Sequence, residues 1–242
     1  MISQPKIIYE DKDVLVINKP AGLLVHPTHK KFMYGASPSG KTLIDWLLEK
    51  YPAIKKVGDD PANRPGIVHR LDKETSGVMI IAKTQKSFEF LKKQFQARLV
   101  KKNYIALVWG KFEMRSGIIE KPMGIKTGTL KRTVKIDEST KLVKEAKTIY
   151  RVKKELGPYS LVEVEPLTGR THQIRVHLAS IKHPVVGDRL YSQRDLPAGV
   201  KRLFLHAESL ELTLPNGEKR KFEAKPPKDL EDFLAALQRD KV

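Results

Sequence analysis

Short runs rich in β-branched residues, separated by turn signals, recur from one end of this chain to the other. KIIY (6–9) and DVLVIN (13–18) are followed by VMIIAK (78–83), NYIALVWG (103–110), TIYRV (148–152) and YSLVEVEPL (159–167). LFLHAESLELTL (203–214) and KRKFEA (219–224) come later, joined by Pro215-Asn216-Gly217. Runs of this length read as strands, and many of the links between them are of hairpin length. Helical spacing is the minority pattern. Thr42, with Asp45 three places on, opens a capping box before Leu43, Leu47 and Leu48. Phe88, Leu91, Phe95 and Leu99 predict one apolar face over 85–99, the stretch from Thr171 can form a helix ended by Pro184, and KDLEDFLAALQ predicts a last helix. Strands outnumbering helices predict an α+β fold, with a mixed, largely antiparallel sheet core flanked by helices and loops. With no internal repeat and no low-complexity linker, residues 1–242 read as one catalytic-sized domain.

Charge narrows the partners. Forty-six Lys and Arg against 28 Asp and Glu give a net charge of +18, and the pI is about 9.9. Such an excess favours polyanions, nucleic acid before anionic membrane, because the chain lacks a long basic amphipathic helix. The excess is uneven: Lys121 to Lys154 holds eleven Lys or Arg and three Asp or Glu. Cysteine is absent, which excludes disulfides, thiolate catalysis and Cys-based metal sites and suits the cytoplasm. The N-terminus carries charges where a signal peptide needs an apolar run, and no apolar run is long enough to cross a bilayer.

GASPSGKT (35–42) has the spacing of a phosphate-binding P-loop. A P-loop needs a buried strand before its first glycine, and HPTHKKFMY is not one. Pro38 also removes a backbone N–H from a loop whose task is to donate N–H groups. No strand ends in a convincing magnesium-holding Asp. A nucleotide-binding phosphotransferase is therefore the remote alternative.

Histidines do not make a metal site by spacing. His26 and His29 sit in a loop, and His172 and His177 are five apart, on different faces of a helix. HRLDKETSG (69–77) reads either as an Asx-turn or as a loop presenting the carboxylate of Asp72. TGRTHQIRVHL (168–178) reads either as an amphipathic helix with solvated arginines or as a carrier of buried ones. A buried arginine and an isolated acid would need each other, since unpaired buried charge is costly.

HRLDKETSG followed by VMIIAKT resembles the signature of the RluA-type family of RNA pseudouridine synthases. KPAGLLVHP (19–27), KKNYIALVWG (101–110), PLTGRTHQIRVHLASIKHPVVGD (166–188) and LHAESLEL (205–212) are similar to further family blocks in the family's order. The likeness covers essentially the whole chain and leaves residues 35–42 as a loop before a helix. Glu74 stands where relatives often carry Asp, outside the core signature.

The resemblance implies an isomerase that converts uridine in ribosomal or transfer RNA to pseudouridine without a cofactor or metal. It implies that Asp72 is the catalytic carboxylate and Arg175 its partner. It implies that Tyr104 stacks on the uracil and helps move a proton, and that Arg70 fills the space left by the flipped base. Some relatives begin with a small RNA-binding domain; this chain starts on catalytic strands, so RNA selection is expected within the catalytic domain of a monomer. A catalytically inactive RNA-binding relative is the main alternative, which intact Asp72, Tyr104 and Arg175 disfavour.

Overall fold

The β-branched runs become strands. The computed structural model describes residues 3–26, 42–129 and 131–239. Within them the chain forms two compact units that share it in alternation: residues 1–100 with 209–224, and residues 101–208 with 225–242.

In the first unit β1 (Lys6–Glu10), β2 (Val14–Lys19) and β3 (Ser76–Ala82) are antiparallel neighbours. The β2–β3 register runs from Val14 opposite Ala82 to Lys19 opposite Gly77. Both strands are nearly continuous apolar runs because both are buried: Val14 to Ile17 and Met79 to Ala82 have no exposed surface. α1 (Leu43–Lys50) starts as expected: Thr42 accepts from the Asp45 N–H, and the Asp45 carboxylate accepts from the Thr42 N–H. Leu24 and Val25 accept main-chain bonds from Leu43 and Ile44, which ties the chain before this helix to its first turn.

α2 (Gln85–Gln96) is also opened by a capping box, Thr84 with Ser87, and buries Phe88 and Leu91. It is shorter than its apolar spacing predicts. Arg98 takes a left-handed conformation (φ 58°), which turns the chain out of the helix and leaves Leu99 69% exposed. The side chain of Gln94 closes a two-way bond with the backbone of Thr213 (2.7 and 3.0 Å).

In the second unit β4 (Lys101–Trp109), β10 (Tyr159–Pro166), β9 (Lys147–Leu156) and β5 (Ser116–Glu120) lie in that order, each antiparallel to the next. The basic segment folds as a small sheet of its own, with β6 (Met123–Lys126) between β7 (Arg132–Thr133) and β8 (Thr140–Lys144). α3 (Gln173–Ser180) and α4 (Lys228–Arg239) complete the unit. Its core gathers Leu107, Val162, Val164, Leu178, Val185 and Phe204, and Phe233, Leu234 and Leu237 of α4 pack against it. β11 (Leu205–Thr213) starts in the second unit and ends in the first, where it pairs with β12 (Lys219–Glu223) around the expected Pro-Asn-Gly turn. Antiparallel pairs with helices apart from them are the α+β class that the sequence implies. Among the described residues, no helix is long and apolar enough to cross a membrane.

Candidate active site

Asp72 lies in a loop of the first unit that is held at both ends. At its start, His69 Nε2 accepts the N–H of Ile80 in β3 at 3.0 Å, and its ring stacks on Phe95 of α2 (centroids 4.7 Å apart, planes 19°). Nε2 is therefore the unprotonated nitrogen in this bond. At its end, the carbonyl of Lys73 accepts from the Gly22 N–H (2.8 Å) and from Lys19 Nζ (3.2 Å). Lys19 is fully buried, and its ammonium also donates to the carbonyls of Pro20 and Leu23, matching its N–H donors to backbone acceptors. Between these anchors Leu71 is buried and Asp72 is half-buried. The turn after Asp72 is closed by main chain, Thr75 N–H to the Asp72 carbonyl at 3.2 Å. Arg70 in the same loop is exposed, with Nη1 3.3 Å from His26 Nε2.

Tyr104 and Arg175 belong to the second unit. Tyr104 sits in β4 opposite Val164 of β10, half-buried against the unit's core. Arg175 is buried in α3 and makes a bidentate ion pair: Nε donates to Asp188 Oδ2 at 2.7 Å and Nη2 to Oδ1 at 2.8 Å. Asp188 Oδ1 also accepts the N–H groups of Leu190 and Tyr191. Burial pushes the Asp188 carboxyl up, but the hydrogen bonds and charge of Arg175 and the two backbone donors outweigh it and hold it below its ordinary value. The Arg175 guanidinium carbon lies 5.1 Å from the Tyr191 ring centre, within cation–π range.

α3 differs from an amphipathic helix with solvated arginines. Every residue from Gln173 to Leu178 is buried, polar ones included. Gln173 spans the Thr168 hydroxyl, the Arg170 N–H, the Lys147 carbonyl and the Thr148 hydroxyl. His177 sits with Nδ1 2.9 Å from Thr148 Oγ1 and Nε2 3.0 Å from the Lys121 carbonyl, and its burial pushes its pKa below the ordinary value. The helix also begins two residues later than Thr171, because His172 is left-handed (φ 59°). Asp188 and Tyr191 were not singled out by motif. The available signal was an acid directly behind the apolar HPVVG run, on the chain that follows an arginine-bearing helix.

Of GASPSGKT, residues 35–41 lie outside the described residues. Thr42 is described, and its hydroxyl both accepts from the Asp45 N–H and donates to Asp45 Oδ2 at 2.8 Å, so it serves the helix cap.

The sequence model described as RNA pseudouridylate synthase matches residues 13–180, a span that includes Arg70, Asp72, Tyr104 and Arg175. The chain is 39% identical over 229 residues to "Ribosomal large subunit pseudouridine synthase D" of Borreliella burgdorferi, covering 95% of this chain and 67% of that one. It is 42% identical over 222 residues to an "Uncharacterized RNA pseudouridine synthase" of Chloroflexus aurantiacus, covering 91% and 66%. The chain thus spans about two thirds of the length of these curated relatives. Among solved structures it is similar to Human RNA Pseudouridylate Synthase Domain Containing 4, with a TM-score of 0.75 and 28% identity over 96% of this chain and 93% of that one. The chain belongs to the RNA pseudouridylate synthase family. Its enzyme class is RNA pseudouridine synthase.

Proposed function

We propose that this enzyme isomerises uridine in ribosomal RNA, or in transfer RNA, with Asp72 as the catalytic carboxylate. The observation that carries the reading is the doubly anchored loop. His69 fixes its start, Lys19 and Gly22 fix its end, and a half-buried carboxylate stands between them. The names of the Borreliella and other relatives specify the ribosomal large subunit, which puts that RNA first as the substrate.

In the proposed reaction the target base leaves its stack, at a cost of a few kcal/mol. Exposed Arg70 fills the vacated space with its planar guanidinium. Asp72, ionised, attacks C1′ or stabilises the positive charge that develops there as the bond from C1′ to N1 breaks. The uracil turns, C5 bonds C1′ and releases the carboxylate wherever it had bonded there, and a proton leaves C5 while N1 gains one. Tyr104 stacks on the uracil and assists the proton transfer. The product has the atoms and oxidation state of the substrate, so the step requires neither a redox cofactor nor an energy source.

Arg175 is assigned to orient Asp72. Its two bonds to Asp188 tie the guanidinium to the chain that follows α3. The +18 charge supplies affinity for the RNA backbone, and the exposed lysines of the small sheet are assigned to it. The family match runs across both compact units, which supports reading them as one catalytic domain; the reading takes it as a monomer acting in the cytoplasm. Mapping pseudouridine in total RNA from cells with and without the gene tests the reading and finds the site. An unchanged map in both ribosomal and transfer RNA would reject it.

A further inference from the structure

Tyr191 joins three parts of the second unit. Its hydroxyl accepts the backbone N–H of Arg132 in β7 at 3.0 Å, and His172 Nδ1 lies 2.9 Å from the same oxygen. A phenol can accept from one group and donate to the other, so both contacts are satisfied at once. Its ring lies under the Arg175 guanidinium at 5.1 Å and edge-on to the His172 ring (5.6 Å, 73°). Its N–H goes to the same Asp188 oxygen that receives Arg175 Nη2.

Each of these contacts bears on something that needs holding. His172 is a non-glycine residue in the left-handed region immediately before α3, a conformation that persists only where the surroundings over-determine it. The small sheet buries little of its own: Met123 and Ala146 form a cluster with Val176 of α3, and Val134 and Tyr191 pack on it. Beyond that anchorage Lys131, Lys135, Lys141 and Lys144 are exposed. The left-handed turn at His172 and the lightly anchored small sheet therefore meet at one phenol, beside the Arg175 guanidinium.

We propose that Tyr191 is a positioning residue: its ring sets the pose of Arg175, and its hydroxyl fixes the basic three-stranded sheet to the start of the arginine helix. The proposal rests on the assignments of Arg175 and of the small-sheet lysines made above. RNA contacts on the small sheet and the orientation of the arginine are then mechanically linked, with the ring serving turnover and the hydroxyl serving RNA affinity.

The test separates these two functions with Tyr191→Phe and Tyr191→Leu, using unmodified RNA from cells lacking the gene. RNA affinity and the single-turnover rate at saturating enzyme are measured separately. Tyr191→Phe keeps the ring, so its saturating rate should stay within about threefold of the parent while RNA affinity weakens. Tyr191→Leu should weaken affinity to the same extent and lower the saturating rate by about tenfold or more. A loss of packing alone would reduce the active fraction and thermal midpoint without this division between ring and hydroxyl. Tyr191→Met, closer in volume, is the second ring-free variant if Tyr191→Leu does not fold. A ring-free variant with the parent's saturating rate, a Phe variant as slow as the ring-free one, or unchanged RNA affinity in Tyr191→Phe would each overturn the proposal. Arg175→Leu in the same assay distinguishes the failures. Full turnover there would reject the assignment of Arg175, whereas its loss beside a fully active Tyr191→Leu would reject only the role of Tyr191.

Discussion

Replacing Asp188 by Asn tests whether the buried ion pair holds Arg175 in α3. The exchange is nearly isosteric and removes one charge. The amide oxygen can still take the Oδ1 position, where Arg175 Nη2 and the N–H groups of Leu190 and Tyr191 converge at 2.8 to 3.0 Å. The amide NH2 then faces Arg175 Nε, where the carboxylate accepted a bond at 2.7 Å. One acceptor becomes a donor opposed to a donor, and a guanidinium whose side chain is 10% exposed loses the charge of Asp188. Removing one partner of a buried pair costs about 3–5 kcal/mol. The surviving Oδ1 contacts favour the lower end, about 3 kcal/mol. For a chain of this length each kcal/mol shifts the thermal midpoint by about 2–4 °C, so a fall of about 6–12 °C is expected.

The pH dependence supplies a second readout. The Asp188 carboxyl is held below its ordinary value in the folded protein. Its stabilisation is therefore fully present above the unfolded value of about 3.9 and is lost as pH falls through the folded value. The gap between the parent and Asp188→Asn should be widest above about pH 5 and close on acidification. Thermal unfolding of both proteins across pH is the assay. A midpoint within about 2 °C of the parent at pH 7 would mean that Arg175 does not depend on Asp188, and the account of α3 would fail.

Asp72→Asn should bind RNA with nearly the parent's affinity and form no detectable pseudouridine; normal product by nucleoside analysis would reject the catalytic assignment. His177, neutral and buried, makes stability fall as pH drops below the unfolded histidine value of about 6.5, because only the unfolded chain then takes up the proton. His177→Asn should be less stable at pH 7.5 yet lose less between pH 7.5 and 5, and equal slopes in thermal unfolding would refute this. RNA affinity should fall at least about tenfold between about 50 and 200 mM salt, since several phosphates shed counterions on binding. A flat dependence would mean that the basic surface faces something other than RNA.

The features that local chemistry decides are legible in the sequence. Thr42 and Asp45 announce the first helix because an N-cap is satisfied within four residues. The paired strands over 148–152 and 159–167 are legible because β-branched runs joined by a short turn have few other ways to bury themselves. Family-like blocks in order are equally a property of the sequence, and they pointed to the family that the comparisons show.

What contacts between distant residues decide is not legible. Periodicity extends α2 to Leu99, but the left-handed Arg98 ends it earlier. Lys19 is written like a surface lysine, and backbone carbonyls, one of them 54 residues away, make its burial tolerable. Gln173, Arg175 and His177 give α3 the spelling of a solvated helix. Their partners, Thr148, Lys121 and Asp188, come from other elements and remove the cost of taking polar groups out of water. The sequence by itself determined the local elements and the chemical inventory. Tertiary structure decided which polar groups are buried, because burial of a charge is permitted only by a partner that the fold delivers.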